Sequence, residues 1–206
     1  MGVFARNFII DEARRRGYKY HLQMDDDFYE IRFRYVKNNR LVSKRCTQFD
    51  AVFQCMRDFL ESTDTVWLSF GVFAQYMGGI KSRHFHDGLF RGCVCSFFIK
   101  TEAAPKFKGR MNDDIGTTSY YAHKGKLMFT VMPLNLNMEF TQTADGGLTD
   151  IYKDNGTYRK SFYSIILGPS YSIINDMGRV DKRLHHQISW NKCAPLILDE
   201  RWKKRA

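Results

Sequence analysis

Residues 5–28 read ARNFIIDEARRRGYKYHLQMDDDF, and the rest of the chain can be built outward from them. The spacing predicts a short amphipathic helix over Phe8–Arg16. Gly17 closes it, because glycine adopts the left-handed conformation of a helix end at no steric cost. Tyr18–Met24 alternates as a strand does. Three carboxylates, Asp25, Asp26 and Asp27, come straight out of that strand. Aspartate is a poor strand residue and adjacent like charges repel, so the triplet is either a solvated turn or a seat for a cation. Ligands of α/β folds gather at the carboxyl ends of strands, which is where the triplet falls. As alternate residues, Asp25 and Asp27 can both turn toward one Mg2+ or Mn2+, hard cations that prefer carboxylate oxygen.

Downstream, IRFRYV and LVSKRC flank Lys37-Asn38-Asn39-Arg40 as the arms of a hairpin. Phe49, Val52, Phe53, Met56, Phe59 and Leu60 recur at helical spacing and predict a helix over 48–61. Val66–Phe73 and Cys93–Lys100 read as strands, with the glycine-rich loop MGGIKSRHFHDG between them. A helix over 112–124, a strand over Leu127–Pro133 and a helix over 156–167, stopped by Gly168-Pro169, complete the pattern. Strands and helices interleave, so the expected class is α/β with a mixed sheet. Without an internal repeat or a low-complexity linker, residues 1–200 read as one domain, with a basic tail at 201–206.

Composition narrows the partners. At 44% hydrophobic and 15% aromatic residues over 206 positions, the chain is globular, and no apolar run nears the roughly 20 residues of a membrane span. The N-terminus lacks the apolar core of a signal peptide, and Arg6 stands where myristoylation requires Ser or Thr. Five cysteines without framework spacing fit a reducing cytoplasm. The excess of 32 Lys+Arg over 22 Asp+Glu gives +10 and favours a polyanionic partner. Basic and aromatic residues interleave at Arg32, Phe33, Arg34, Tyr35 and Lys37, and again at Tyr158, Arg159, Lys160 and Phe162. That pattern can track phosphates and stack bases, and it is equally what a half-buried element requires.

Ala5-Arg6-Asn7, a helix, a glycine, a strand and an Asp cluster, in that order, resemble the middle of a GT-A nucleotide-sugar glycosyltransferase. GRMNDDIGTTSYYAHKG (109–125) resembles the acidic segment that supplies the catalytic base in inverting members of that fold. Together with QTADGGLTDIYKDNGTYRKSFYS (142–164) and RLHHQISWNKCAP (183–195), these motifs resemble bacteriophage glycosyltransferases associated with TET/JBP-type, base-hydroxylating dioxygenases. The resemblance implies a GT-A-like mixed sheet flanked by helices and transfer of a sugar from a nucleotide sugar, with UDP as its nucleotide. The implied acceptor is the hydroxyl of a hydroxymethylated pyrimidine in DNA. It places Asp25 and Asp27, with His185 or His186, on Mn2+ or Mg2+. It places Arg6, Asn7 and Asp26 at the donor, and Asp113 or Asp114 as the base. Beside these, Gly78 and Gly79 can let backbone approach the sugar, and Lys182 and Arg183 either neutralise the leaving diphosphate or merely face solvent. A phage-encoded chain of this kind would work in the host cytoplasm. In the GT-A pattern, nucleoside-binding βα units precede the Ala-Arg-Asn segment, yet Ala5 stands almost at the initiator Met. The expectation is therefore a sheet lacking those units, completed by a further N-terminal segment, a partner chain or a nucleoside site built differently.

Plainer readings stand beside these. Asp113 and Asp114 can simply cap the helix that follows. Gly78-Gly79 can be only a turn. His84, His86, Cys93 and Cys95 are four zinc-type ligands, although Cys-x-Cys on a strand is not the usual zinc spacing. Gln142, Asp145 and Asp150 lie in a long polar connection of the kind that binds ligands. The rival functions are a non-catalytic nucleic-acid-binding module on a degenerate GT-A scaffold and a zinc-stabilised nucleic-acid-binding domain.

Overall fold

A computed structural model describes residues 2–82, 85, 95–139, 157–177 and 183–193. The chain forms two compact units. Residues 8–104 and 127–143 make the sheet unit; residues 1–7, 105–126 and 144–206 make the second. Among the described residues, no helix is long and apolar enough to cross a membrane.

The sheet unit holds six strands, β1 (Tyr20–Met24), β2 (Phe28–Lys37), β3 (Arg40–Arg45), β4 (Thr65–Val72), β5 (Ser96–Lys100) and β6 (Leu127–Met138). Their order is β1-β5-β4-β6-β2-β3. The β4/β6 pair is parallel and the others are antiparallel, so the sheet is mixed, as expected of a GT-A-like chain. Strand β4 is buried along nearly its whole length, which suits a central strand covered on both faces. Helix α2 (Phe49–Ser62) turns Met56 and Leu60 into a core with Ile31, Leu68, Phe70, Phe98, Leu134 and Leu136. Asn38 and Asn39 both take positive φ (50° and 58°), the conformation that the tight β2–β3 turn requires.

Helix α1 (Gly2–Arg15) starts earlier than its apolar spacing indicates, and its C-terminal end is closed by Gly17 as expected. Gly17 has φ +72°, and its amide bonds to the Arg14 carbonyl while that of Tyr18 bonds to Ala13, the paired bonds of a Schellman turn. Strand β5 begins only at Ser96, because Cys95 takes φ +61° and breaks the extended run. Strand β6 does not stop at Pro133. Its pairing with β4 slips between Val131 and Asn135, and the proline sits in that bulge, where no ladder bond is lost for want of its N–H. The Tyr76 hydroxyl is shared between the carbonyls of Met132 and Leu134 (2.9 and 3.0 Å), pinning the bulge. The ring packs so closely on Gly71 that no Cβ fits there.

Asp25–Asp27 join β1 to β2, two strands separated in the sheet by β5, β4 and β6. Four Cα steps reach about 15 Å, whereas four strand spacings of a flat sheet need about 19 Å. The sheet must therefore curl at this rim. β4 pairs with β5 only at Trp67 and Leu68, and β6 bulges against β4, two irregularities that leave the sheet free to bend. The Asp25 amide bonds to the Cys95 carbonyl and the Glu139 amide to the Asp27 carbonyl, so the acidic turn is fastened at both ends (3.0 and 2.9 Å).

In the second unit, α3 (Asp113–His123), α4 (Tyr158–Leu167) and α5 (Trp190–Cys193) accompany a hairpin of β7 (Ser172–Met177) and β8 (Arg183–Ile188). The sequence reading contains no counterpart to this hairpin.

Candidate functional site

The acidic turn is one of two candidate sites. Burial, and next the charge of Asp25, push the Asp27 carboxyl above its usual range; Asp26 and Glu139 add to the push. Four carboxylates thus crowd one rim of the sheet at the carboxyl end of β1. A divalent cation would relieve that crowding, and hard oxygen donors suit Mg2+ or Mn2+. Among the described residues, no group of three or more His, Cys, Asp or Glu side chains is placed to hold a metal. Gly78 and Gly79, also in the sheet unit, adopt left-handed conformations (φ 93° and 60°) in a turn closed by Lys81 N–H to the Gly78 carbonyl.

The other candidate site lies within the second unit and starts from the opening turns of α1. Arg6 donates Nε to Asp113 Oδ2 at 2.9 Å and lies over the Phe107 ring. Asn7 spends its amide on the backbone of Phe107, donating to the carbonyl (3.1 Å) and accepting from the N–H (2.8 Å). Gly2 lies against the same Asp113 carboxylate, at the positive end of the helix. The Ala-Arg-Asn segment thus ties its helix to the second acidic motif, and these anchors hold the first two turns in helical form.

Asp113 and Asp114 open α3, but the helix is not capped in the expected way. Asn112 takes the N-cap position with φ +53° and makes no side-chain cap bond. Its amide donates to the Lys160 carbonyl and to His186 Nδ1, both at 2.9 Å. Burial, then the charge of Asp113, push the Asp114 carboxyl up to about 6, against the opposing pull of the Ile115 N–H, Lys160 and Arg6. A carboxyl with that affinity for a proton serves as a general base near neutral pH far better than an ordinary aspartate.

The two histidines of β8 differ. A carbonyl can only accept, so Lys160 fixes which end of Asn112 is the amide, and His186 Nδ1 must accept from it. The proton of His186 then sits on Nε2. Burial, with His185 and Lys160, lowers its pKa to about 4, so the ring is neutral. His185 instead donates its Nδ1 to the His186 carbonyl at 2.7 Å. Metal-ligating histidines commonly donate a ring N–H to a carbonyl in this way.

Arg6, Asp113, Asp114 and His186 are thus brought together in the second unit, while Asp25, Asp27, Gly78 and Gly79 belong to the sheet unit. Lys182 lies outside the described residues, as do His84, His86, Cys93, Gln142, Asp145 and Asp150; the backbone of Arg183 opens β8. Sequence reasoning passed over Asn112 as an orienting residue and Lys160 as a charge beside Asp114. The signal for Asn112 was present, since asparagine tolerates positive φ better than most residues.

A family model described as TET-Associated Glycosyltransferase matches residues 1–147. The matched span takes in Arg6, Asn7, the aspartate triplet, Gly78, Gly79, Asp113 and Asp114, and ends before the histidines of β8. No curated protein and no solved structure matches the chain.

Proposed function

We propose that this chain, which belongs to the TET-associated glycosyltransferases, moves a sugar from a UDP-sugar to the hydroxyl of a hydroxymethylated pyrimidine in DNA. One observation carries this reading. The span that defines the family contains both acidic motifs, and in the structure the second includes a carboxyl whose proton affinity suits a general base.

Asp25 and Asp27 would hold Mn2+ or Mg2+ against the donor diphosphate, with His185, whose Nδ1 donates to the His186 carbonyl, as a further ligand. Bound there, the ion stabilises the charge of the departing diphosphate. Asp114 removes the proton of the acceptor hydroxyl as that oxygen attacks the anomeric carbon, in a single inverting displacement. Asp113 is a positioning residue. Arg6 fixes it, and its charge keeps the proton affinity of Asp114 high. Asn112 holds His186 as a neutral donor through Nε2. Asp26, Gly78, Gly79, Lys182 and Arg183 are assigned to the donor, the last two as counter-charges for the leaving group. A base in duplex DNA must leave the stack to reach such a site.

Calorimetry of Mn2+ with and without UDP tests the donor half. Wild type should bind the ion more tightly when UDP is present, and Asp27→Ala should lose most of that gain. Equal binding by the two proteins would reduce the triplet to a solvated turn.

A further inference from the structure

A cleft of about 650 Å3 opens in the sheet unit, lined by Arg14, Tyr18, Lys19, Tyr20, Lys100 and Glu102 among others. Three cations face one carboxylate there. The Schellman turn at the end of α1 delivers Tyr18 and Lys19, and pairing of Tyr20 with Lys100 and of the Thr101 amide with the Lys19 carbonyl (2.9 Å) fixes the strand rim. Arg14 reaches the Ala104 carbonyl at 2.9 Å and Lys100 the Leu60 carbonyl at 3.1 Å, so both side chains are already extended and ordered. Ordering them on binding costs less than it would for free surface lysines. Tyr20 stacks on Phe98, whereas Tyr18 is 55% exposed and offers a ring face.

We propose that this cleft binds the phosphate backbone of the acceptor DNA, with a base stacked on Tyr18. The inference rests on the reading that the acceptor is DNA. The cleft lies at the N-terminal end of β1 and the acidic turn at its C-terminal end. Five strand residues at about 3.4 Å each put roughly 17 Å between them. A nucleotide sugar held in the cleft would be too far from Asp25 and Asp27 to share a metal with them. A polymer carrying a charge every few ångströms can occupy the cleft and extend beyond it. Cationic side chains that follow a backbone, with aromatic rings that accept any base, are the usual means of gripping single strands.

The test is fluorescence anisotropy of a short single-stranded oligonucleotide containing hydroxymethylcytosine, measured across a range of salt. Lys19→Glu should weaken binding about tenfold or more and lower the slope of log K against log salt by about 0.7 or more, the share of one phosphate contact. Tyr18→Ala should weaken it by about tenfold, the scale of one stacked base. Lys126→Glu, an equal charge change at an exposed residue of the other unit, should cost much less. Three results would overturn the proposal while leaving DNA as the acceptor. In the first, both cleft variants bind as wild type does. In the second, Lys126→Glu loses as much as Lys19→Glu, so that net charge alone governs affinity. In the third, UDP displaces the oligonucleotide, so that the cleft is a nucleotide pocket. A wild-type chain that binds no oligonucleotide even at low salt overturns both the cleft and the DNA reading.

Discussion

Asp114 carries the most consequential chemistry of any single side chain described. Its raised proton affinity has a thermodynamic sign that can be checked without substrate. An unfolded aspartate titrates near 4, and the folded one near 6. The folded state therefore gains stability from the bound proton below about pH 4, and loses it as pH rises through about 6. At pH 8 the ionised group costs on the order of 2–3 kcal/mol, at about 1.4 kcal/mol per unit. Asp114→Asn removes that cost, so the variant should melt several degrees higher than wild type at pH 8. At pH 4, where the carboxyl is largely protonated, the difference should shrink toward zero. The same change should lower turnover by roughly 100- to 10,000-fold with little effect on donor affinity, the range of a lost general base. Wild-type turnover should rise with pH through about 6 and then level off. Paired thermal melts and a pH–rate profile read all three. A variant with unchanged turnover and no pH-dependent gain in stability would return Asp113 and Asp114 to helix capping, for which Asn serves as well as Asp.

At the level of elements, the six-stranded sheet depends on one tyrosine. The β6 bulge gives up regular pairing with β4 over three residues, and the Tyr76 hydroxyl takes over two of its carbonyls. Tyr76→Phe keeps the ring and leaves those buried acceptors without the hydroxyl, a loss of about 1–3 kcal/mol. Urea unfolding of the two proteins measures it, and a loss below about 0.5 kcal/mol would mean that the bulge holds without the hydroxyl. Much of the sheet unit was legible in the sequence. The Asn38-Asn39 turn, the period of α2 and the end of α1 at Gly17 each follow from local rules, and the structure reproduces them. The start of α1 was not legible, because Arg6 and Asn7 are held helical by Asp113 and Phe107, about a hundred residues away. Nor was the extension of β6 past Pro133, since only the bulge makes a proline acceptable there. Strands β7 and β8 were missed because SIINDM and RLHHQI are short and polar at alternate and adjacent positions alike. Residue types disclosed the acidic motifs, but roles within them rest on tertiary contacts. The opposite roles of the two Nδ1 atoms, donor in His185 and acceptor in His186, depend on a carbonyl of α4 and one of their own strand.

Taken as a whole molecule, the chain couples two acidic motifs to a surface that is strongly basic, at +10. A net charge of +10 suits the proposed substrates, a nucleotide sugar and DNA, which are both anions. The central claim is covalent transfer of a sugar to the hydroxymethyl group of a base. Mass spectrometry of nucleosides is its most direct measurement, made after hydroxymethylated DNA has been incubated with the protein, Mn2+ and a panel of UDP-sugars. One donor should add the mass of its sugar residue to the hydroxymethylated nucleoside alone, leaving unmodified cytidine and thymidine unchanged. The product should disappear with Asp114→Asn. Unaltered nucleosides across the whole panel, or a product formed equally well by Asp114→Asn, would contradict the central claim.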